Sequence, residues 1–384
     1  MNNLKIFNTV EEYQAWKDGD DYVYPNICKV GEEVVYNGYP EPFWIEALED
    51  VTVRFTSSWN KTNFCGSYSY DKITWTSWSS EIILRKGQKI YIRYAVLTGE
   101  RWLWVSGKYN VGGNIVSLIY GESYLEYESI GTANLRYLFS EEATSVISAE
   151  DLVLVKTISA VYAGLFKNCS LLIKAPKLPK YLCKDCYEEM FRGCASLKKA
   201  PSLLVSSPRN TDRGWYKNMF TGCSDLSYIK MMMSIDFGSP GTTSDWSINW
   251  VSGVAKKGTF IANAKRTYFE RGPHGIPEGW DLYLYDEDND RYVVKFKVNE
   301  IPYEFYTDEP RDVKWREFIN SEQNTNGYYE EDNFHTIYAS NGVDRILLNN
   351  QYVITSENII LNASYTIGQR TATTEVTETT NVEE

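Results

Sequence analysis

Cys183 and Cys186 form a CxxC pair, the arrangement in this chain that most directly suggests chemistry. Such a pair can hold zinc or carry out thiol redox reactions. A structural zinc site needs two further ligands at suitable spacing, and the sequence contains only two histidines, His274 and His335. The alternative is that Cys186 fills a regular position of an internal repeat. We favour that alternative and predict neither a metal site nor a cofactor.

Catalysis by an activated nucleophile has no supporting motif, because neither GxSxG nor HExxH occurs in the chain. Paired carboxylates for glycoside hydrolysis stay open, since acidic residues are numerous and the spacing they need is three-dimensional. We therefore predict no catalytic residues and a non-enzymatic protein, with a polysaccharide depolymerase kept as one alternative.

The acidic run DEDND at residues 286–290 could bind calcium through its carboxylates. Its spacing, however, lacks the glycine and the distal glutamate of an EF-hand loop. We favour the interpretation that this run is a solvated hairpin turn.

Trp102 and Trp104 are the candidate residues for surface contact. They share one face of a short predicted strand, while Leu103 and Val105 lie on the other face. One of these faces must pack into a core, so the other presents apolar surface to a partner, a subunit or a sugar. We expect packing in a core or against a subunit, with a glycan platform as the alternative.

Composition narrows the class of protein. The chain has 30 tyrosines and 12 tryptophans, a bias typical of β-rich surface proteins. Its formal net charge of −12 argues against binding to nucleic acid. Seven cysteines, an odd number, suit a reducing compartment better than a disulfide framework. No apolar run is long enough for a membrane span, so none is expected.

Residues 1–40 predict a small module for anchoring. Their start, MNNLKIFNTVEEYQAWK, has neither the apolar h-region nor the cleavage site of a signal peptide. We therefore expect the protein to stay where it is made until the cell opens. Thr9 and Glu12 match a capping box for a short helix. Apolar residues 27–30 and 34–36 predict a hairpin.

Residues 41–129 alternate between apolar and polar positions, as half-buried strands do. Turn signals between these runs, at KG and TG, favour a β-sandwich. The residues predicted to share a face are Val51, Val53 and Phe55 in one strand and Ile90, Ile92, Tyr94 and Val96 in another.

An internal repeat is the strongest pattern in the sequence. The segments VYAGLFKNC, CYEEMFRGC and WYKNMFTGC superimpose. Their phenylalanines are separated by 25 and then by 29 residues, spacings in the range of leucine-rich repeats. The predicted repeat core consists of Tyr162, Phe166, Cys169, Leu172, Tyr187, Phe191, Cys194, Leu197, Tyr216, Phe220, Cys223 and Leu226.

Repeats of this size cannot enclose their own apolar face, so they must stack on one another. We predict a short leucine-rich-like solenoid over residues 130–280, with each small cysteine side chain directed inward. A degenerate copy that contains Leu138 and Phe139 would cap its beginning. The segments NWVSGVAKKGTF and GIPEGW, residues 249–260 and 275–280, would close its end.

Residues 281–368 predict a small α+β domain. It would contain a hairpin, one helix and further strands, and the Thr/Glu-rich residues 369–384 would be disordered. The predicted hairpin strands are residues 292–298 and 301–306, the helix is residues 313–319, and the further strands are residues 346–348, 352–354 and 359–361.

The pattern CYxxMFxGCxSLxxAPxL, at residues 186–203, resembles the leucine-rich-like repeats of BspA-like surface proteins of Bacteroidales. The order of a β domain, the repeats and the two closing segments is similar to fibre and surface proteins of Bacteroidales phages and prophages, including crAss-like phages. WREFINSEQNT, residues 315–325, is similar to a small module appended to proteins of that group. The resemblance implies display: attachment, decoration or contact with a host surface.

The leading hypothesis is a structural protein on the surface of a bacteriophage virion, as a head fibre, a capsid decoration or a tail appendage. The absence of an export signal favours a phage over a bacterial adhesin. Its expected partners are other virion proteins, further copies of itself as a homo-oligomer and host surface glycans, but not nucleic acid. The alternative is a carbohydrate-binding adhesin that binds glycans through the β domain or the repeats.

Overall fold

The computed structural model describes most of residues 41–323 and short strand segments on either side. Outside that range the described residues are 4–7, 12, 26–30, 33–37, 329–331, 336–338, 345–347, 360–361 and 366–367. Within it the gaps are residues 58–65, 79–80, 95–100, 132–134, 141–144, 158–159, 181–182, 204–213, 234–246, 267–269, 299–300, 312, 315–316 and 319.

The chain divides into two compact units, Met1–Leu282 and Tyr283–Glu384. Both are rich in β-strands, and the described residues form several sheets and no barrel. The finer division of the first unit at residues 41 and 130 stays a prediction. The strands of the first unit are β1 (Leu4–Phe7), β2 (Asn26–Val30), β3 (Glu33–Asn37), β4 (Trp44–Ala47), β5 (Val51–Ser57), β6 (Ser67–Ser69), β7 (Thr76–Ser77), β8 (Ile82–Leu84), β9 (Lys89–Arg93), β10 (Arg101–Val105), β11 (Tyr109–Asn114), β12 (Ser129–Ile130), β13 (Val146–Val153), β14 (Lys156–Thr157), β15 (Tyr228–Met231) and β16 (Thr259–Asn263).

The first three strands form one small sheet in which β1 runs parallel to β2. Strands β2 and β3 are antiparallel, with Ile27 opposite Tyr36, so the predicted hairpin is confirmed. The predicted capping-box helix lies outside the described residues, apart from Glu12, which is helical.

Two further sheets form the hydrophobic core of the part of the chain that follows β3. One has the strand order β10-β5-β8 and the other the order β13-β11-β4-β9-β6-β7. Trp78 contacts both sheets, because its ring centroid lies 5.3 Å from that of Phe55 in β5 and 5.7 Å from that of Tyr68 in β6. Val51 and Val53 are buried on the inner face of β5, as predicted. A helix, α1 (Ser117–Tyr120), and a 3-10 turn (Gly121–Glu126) follow β11.

The prediction for the strand beginning at Ile90 is partly wrong. Ile90 and Ile92 are fully buried, but β9 ends at Arg93. Tyr94 is 37% exposed and adopts a left-handed backbone with φ 59°, which takes it out of the alternating pattern. Its ring occupies the space beside Gly121, where a Cβ atom would come within 1.8 Å. Val96 lies outside the described residues.

The described residues of the second unit lie mostly in strands, and they do not show the predicted α+β arrangement. The predicted hairpin is confirmed, with Val294 opposite Phe305. The predicted helix is wrong at its start, because Val313 and Lys314 form a strand paired with residues 360–361. Val313 is β-branched and fully buried, which suits a strand. Helical geometry is described only at residues 317–318, and the predicted disordered tail lies outside the described residues.

The strands numbered after β16 are β17 (Asp281–Asp286), β18 (Arg291–Val298), β19 (Ile301–Thr307), β20 (Val313–Lys314), β21 (Tyr329–Glu331), β22 (Thr336–Tyr338), β23 (Arg345–Leu347), β24 (Ile360–Leu361) and β25 (Thr366–Ile367). Of the further strands predicted from the sequence, β23 and β24 overlap two. The third, at residues 352–354, lies outside the described residues.

Candidate functional site

The repeat continues beyond the three copies seen in the sequence. Five copies follow one another, and we number their positions from the residue that is Tyr in the three complete copies. Copies 1 to 5 begin at Leu135, Tyr162, Tyr187, Tyr216 and Ser247. In the three complete copies, numbers 2 to 4, position 5 is the predicted Phe, position 8 the predicted Cys and position 11 the predicted Leu. The outer copies, 1 and 5, differ from this pattern.

A ladder of backbone hydrogen bonds joins each copy to the next. The amides at positions 3, 5 and 7 donate to the carbonyls at positions 2, 4 and 6 of the following copy. In the centre, Glu189 donates to Lys217 at 2.9 Å, Phe191 to Met219 at 3.0 Å and Gly193 to Thr221 at 2.8 Å. The same bonds join copies 2 and 3 and copies 4 and 5. This spacing, every second residue, is the spacing of strand pairing, so the copies lie in register.

The predicted phenylalanines form a column inside the ladder. Phe166 lies 4.9 Å from Phe139, Phe191 lies 5.6 Å from Phe166, and Phe220 lies 5.7 Å from Phe191, measured between ring centroids. Neighbouring rings are within 12° of parallel, and all four side chains are buried. Phe139 confirms that the degenerate copy stacks on the complete ones.

Tyrosines and leucines form two further buried rows, next to the column of phenylalanines. The predicted Leu172, Leu197 and Leu226 are fully buried. The rings of Tyr187 and Tyr216 stack at 6.1 Å. The hydroxyl of Tyr162 donates to the carbonyl of Val155, 2.9 Å away, in the chain that leads into its copy. The structure therefore brings the whole predicted repeat core together.

The three predicted cysteines point inward and bridge the copies. Each thiol donates a hydrogen bond to the position-5 carbonyl of the preceding copy, from Cys169 to Phe139 at 3.3 Å, from Cys194 to Phe166 at 3.1 Å and from Cys223 to Phe191 at 3.0 Å. Burial raises the pKa of the Cys223 thiol to about 12 and raises the pKa of Cys169 and Cys194 as well. Because the thiolate is the reactive form, these thiols are structural.

Two residues in each complete copy adopt a left-handed backbone, at positions 3 and 7. Position 7 is glycine in copies 3, 4 and 5, with φ between 76° and 78°. Asn168 takes this place in copy 2 with φ 65°. Asparagine tolerates the left-handed region better than other residues with a Cβ atom, so the sequence departure leaves the turn intact.

Position 3 of copy 3 carries a charged residue that connects neighbouring turns. Glu189 is 9% exposed, accepts a hydrogen bond at 2.6 Å from Lys167 of copy 2, and forms an ion pair with Arg192. Burial alone would raise the pKa of its carboxyl, but the hydrogen bonds from the two cations outweigh burial and hold that pKa below its ordinary value of 4.5. A second pair, Lys217 and Glu188, joins copies 3 and 4 at 3.0 Å.

We expect Glu189→Gln to lower the free energy of unfolding at neutral pH by roughly 1 kcal/mol, because it removes the charge that both cations face. A carboxyl whose pKa is lowered by folding stabilises the native state above its unfolded pKa and loses this effect as pH falls through the folded value. The difference between variant and parent should therefore shrink below a pH of about 4. Urea unfolding across this range, with exposed Glu126→Gln as control, measures it. An equal difference at all pH values would contradict the assignment.

The end of the ladder is closed by the segment around residue 274. The amide of Asn249, at position 3 of copy 5, donates to Nδ1 of His274 at 3.0 Å. The next ladder amide, of Val251, donates to the carbonyl of Pro273 at 3.4 Å. Trp250 reaches the same segment through a 2.8 Å bond from Nε1 to the carbonyl of Gly275. Pro273 and His274, just before the predicted closing segment 275–280, thus supply the ladder acceptors that a sixth copy would supply. The other predicted closing segment, residues 249–260, instead begins inside copy 5.

The CxxC pair lies in the turn that enters copy 3. The backbone amide of Cys183 donates to Sγ of Cys186 at 3.4 Å, and Sγ of Cys183 lies 3.1 Å from the hydroxyl of Thr157. Both cysteines are buried, and neither forms a disulfide bond. In the part of the chain that the structure describes, no group of three or more metal-ligating side chains comes together. His335 lies outside that part.

The acidic run forms the turn between β17 and β18, as the preferred interpretation predicted. Asp286 accepts hydrogen bonds from the side chain of Asn289 at 2.8 Å and from the backbone of Asp288 at 3.0 Å. The carboxylate of Asp290 accepts a bond from the hydroxyl of Tyr285. Donors of the protein itself thus bond to two of the four carboxylates of the run, those of Asp286 and Asp290.

The two predicted surface tryptophans lie on the outer face of the sheet β10-β5-β8. Leu103 and Val105 point into the core, at 2% and 0% exposure, while Trp102 and Trp104 are partly exposed. The guanidinium of Arg54 lies 4.0 Å over the ring of Trp104. Sequence reasoning found the tryptophans by their alternation but not the arginine, since the pairing of β10 with β5 joins distant parts of the chain.

Comparison with known proteins matches this chain to no protein family, no curated protein and no solved structure. Among the described residues, no helix has the length and apolar character needed to cross a membrane.

Proposed function

We propose that this chain is a non-enzymatic structural protein on the surface of a bacteriophage particle, as a head fibre, a decoration protein or a tail appendage. In this proposal the five copies form a short leucine-rich-like solenoid, and residues 41–129 form a β-sandwich. Residues 1–40 anchor the chain to other virion proteins, and several copies of the chain assemble together.

The observation that carries the proposal is the continuous ladder from copy 1 to the closing segment at His274. Every copy is joined to the next by backbone bonds, and the column of phenylalanines joins copies 1 to 4. Such a stack resists bending because its copies cannot shift without breaking several bonds at once. A rigid spacer of this kind suits display. The net charge of −12 also suits a protein held soluble at high local copy number.

Mass spectrometry of gradient-purified particles from the producing phage tests the proposal. We expect peptides of this chain in intact particles, and we expect brief protease treatment of those particles to remove peptides of the first unit while leaving peptides of internal proteins. Particles that lack the chain, or that protect it as fully as internal proteins, would refute the proposal.

A further inference from the structure

Cys183 and Cys186 lie side by side in the turn that enters copy 3, and neither occupies the inward position 8 of the repeat. The amide of Cys186 donates to the carbonyl of Cys183 at 3.3 Å, which closes a four-residue turn. The amide of Cys183 donates to Sγ of Cys186 at 3.4 Å. The turn therefore brings the side chain of the fourth residue back to the first.

This turn has the dimensions that a disulfide bond needs. The first and fourth residues of such a turn have Cα atoms within about 7 Å of each other, and disulfide-bonded cysteines have Cα atoms about 4.4–6.8 Å apart. Asp185, the third residue, adopts a left-handed backbone with φ 53°. Its carboxylate covers Gly214 at the entry to copy 4 and leaves no room there for a Cβ atom. The next copy thus helps to fix the shape of the turn.

We propose that Cys183 and Cys186 form a reversible disulfide bond by exchange with a small-molecule disulfide such as oxidised glutathione. Cys183 is 6% exposed and Cys186 is fully buried, so the Cys183 thiolate attacks the oxidant first and releases one glutathione thiolate. The Cys186 thiolate then attacks Sγ of Cys183 and releases the second. The two cysteines give up two protons and two electrons, and the oxidant is reduced to two thiols.

The position-8 cysteines provide the contrast. Each donates its thiol to a backbone carbonyl of the preceding copy, as Cys194 does to Phe166 at 3.1 Å. Sγ of Cys183 instead faces the hydroxyl of Thr157 at 3.1 Å, and a hydroxyl can donate as well as accept, so this contact survives loss of the thiol proton. Burial raises the pKa of the Cys186 thiol, and a hydrogen bond between the two side chains raises it further. The exchange is therefore slow at neutral pH.

The bond would add a covalent closure to a stack that is otherwise held by hydrogen bonds and packing. In the proposed function, the thiols stay reduced while the chain is inside the cell, and the bond forms once particles reach an oxidising medium. That biological timing rests on the proposed function. The chemistry of the turn does not.

Peptide mapping of the purified full chain tests the inference, because trypsin cleaves after Lys184, between the two cysteines. The chain is incubated with oxidised glutathione, unfolded, alkylated without reduction and digested. We expect the peptides of residues 181–184 and 185–192 to remain joined and to separate on reduction, and alkylation of Cys186 to fall roughly ten-fold. The peptide of residues 193–198, which contains Cys194, should be alkylated fully and serves as the internal control.

Cys183→Ser is the matched variant, because it keeps a hydroxyl next to Thr157 and removes one sulfur. Its Cys186 should stay open to alkylation after the same treatment. Oxidation should raise the urea midpoint of the parent, since the bond restrains the unfolded chain, and should not raise that of the variant.

Full alkylation of both cysteines after oxidation, or a stable glutathione adduct on Cys183, would overturn the inference. So would a lower urea midpoint of the oxidised parent, which would mean that the turn does not accommodate the bond. None of these results depends on whether the chain is found in particles.

Discussion

Phe191→Ala should lower the free energy of unfolding of the first unit by about 3–5 kcal/mol, the usual cost of deleting a fully buried ring. The side chain has no exposed surface and lies between Phe166 and Phe220, at 5.6 and 5.7 Å. Its removal leaves a cavity in the middle of the column, where neither neighbour can collapse without breaking ladder bonds. Urea unfolding followed by circular dichroism measures the change.

Two further variants make that result specific. Lys198→Ala, an exposed position in the same copy, should change stability by less than about 0.5 kcal/mol. Leu197→Ala, in the buried leucine row, should cost about 2–5 kcal/mol. A loss below roughly 1 kcal/mol for Phe191→Ala would mean that the column does not support the stack.

Phe139→Ala should lower the free energy of unfolding by about 3–5 kcal/mol, as Phe191→Ala does. It should also change how the first unit unfolds. The Phe139 ring stacks on Phe166 at 4.9 Å and lies 6.2 Å from Phe43, beside strand β4. The amide of Leu103 donates to the carbonyl of Leu138 at 2.8 Å in the same place. Copy 1 is therefore where the sheets and the stack meet.

We expect the parent's first unit to unfold in one transition and Phe139→Ala to unfold in two, with sheets and stack separated. Tryptophan fluorescence and circular dichroism would then give different midpoints in urea. Leu125→Ala removes an apolar side chain that is 39% exposed and should keep a single transition. Coincident midpoints in Phe139→Ala would show that copy 1 does not couple the two parts.

The repeat core could be predicted from sequence because each of its residue types has a local reason for its place. Cys194 is small enough for the close approach of two copies, and the Phe and Leu rows must be apolar to stack. Copy 5 escaped notice because Val251 replaces the phenylalanine and Ser247 the tyrosine. The sequence signal for copy 5 is Asn249 followed four residues later by Gly253, as Asn218 is followed by Gly222 in copy 4. Both residues of copy 5 adopt the left-handed backbone of the complete copies.

Features that depend on contacts between distant residues could not be predicted. The contacts of Arg54 with Trp104 and Glu81 depend on strand register between three separated segments. The strand at Val313 forms because residues 360–361 pair with it, which overrides the helical periodicity of its own segment. Tyr94 leaves its strand because space beside Gly121 accepts its ring.

Hydrogen exchange of the ladder amides tests most directly whether the copies form one continuous stack. Mass spectrometry of peptides covering Gly164, Phe166, Phe191, Gly193, Phe220 and Gly222 should show slow exchange, with all of them opening together under mild denaturant. Phe191→Ala should then speed exchange in copies 2, 3 and 4 alike. Rapid exchange of these amides in the native chain, or independent opening of each copy, would contradict the account.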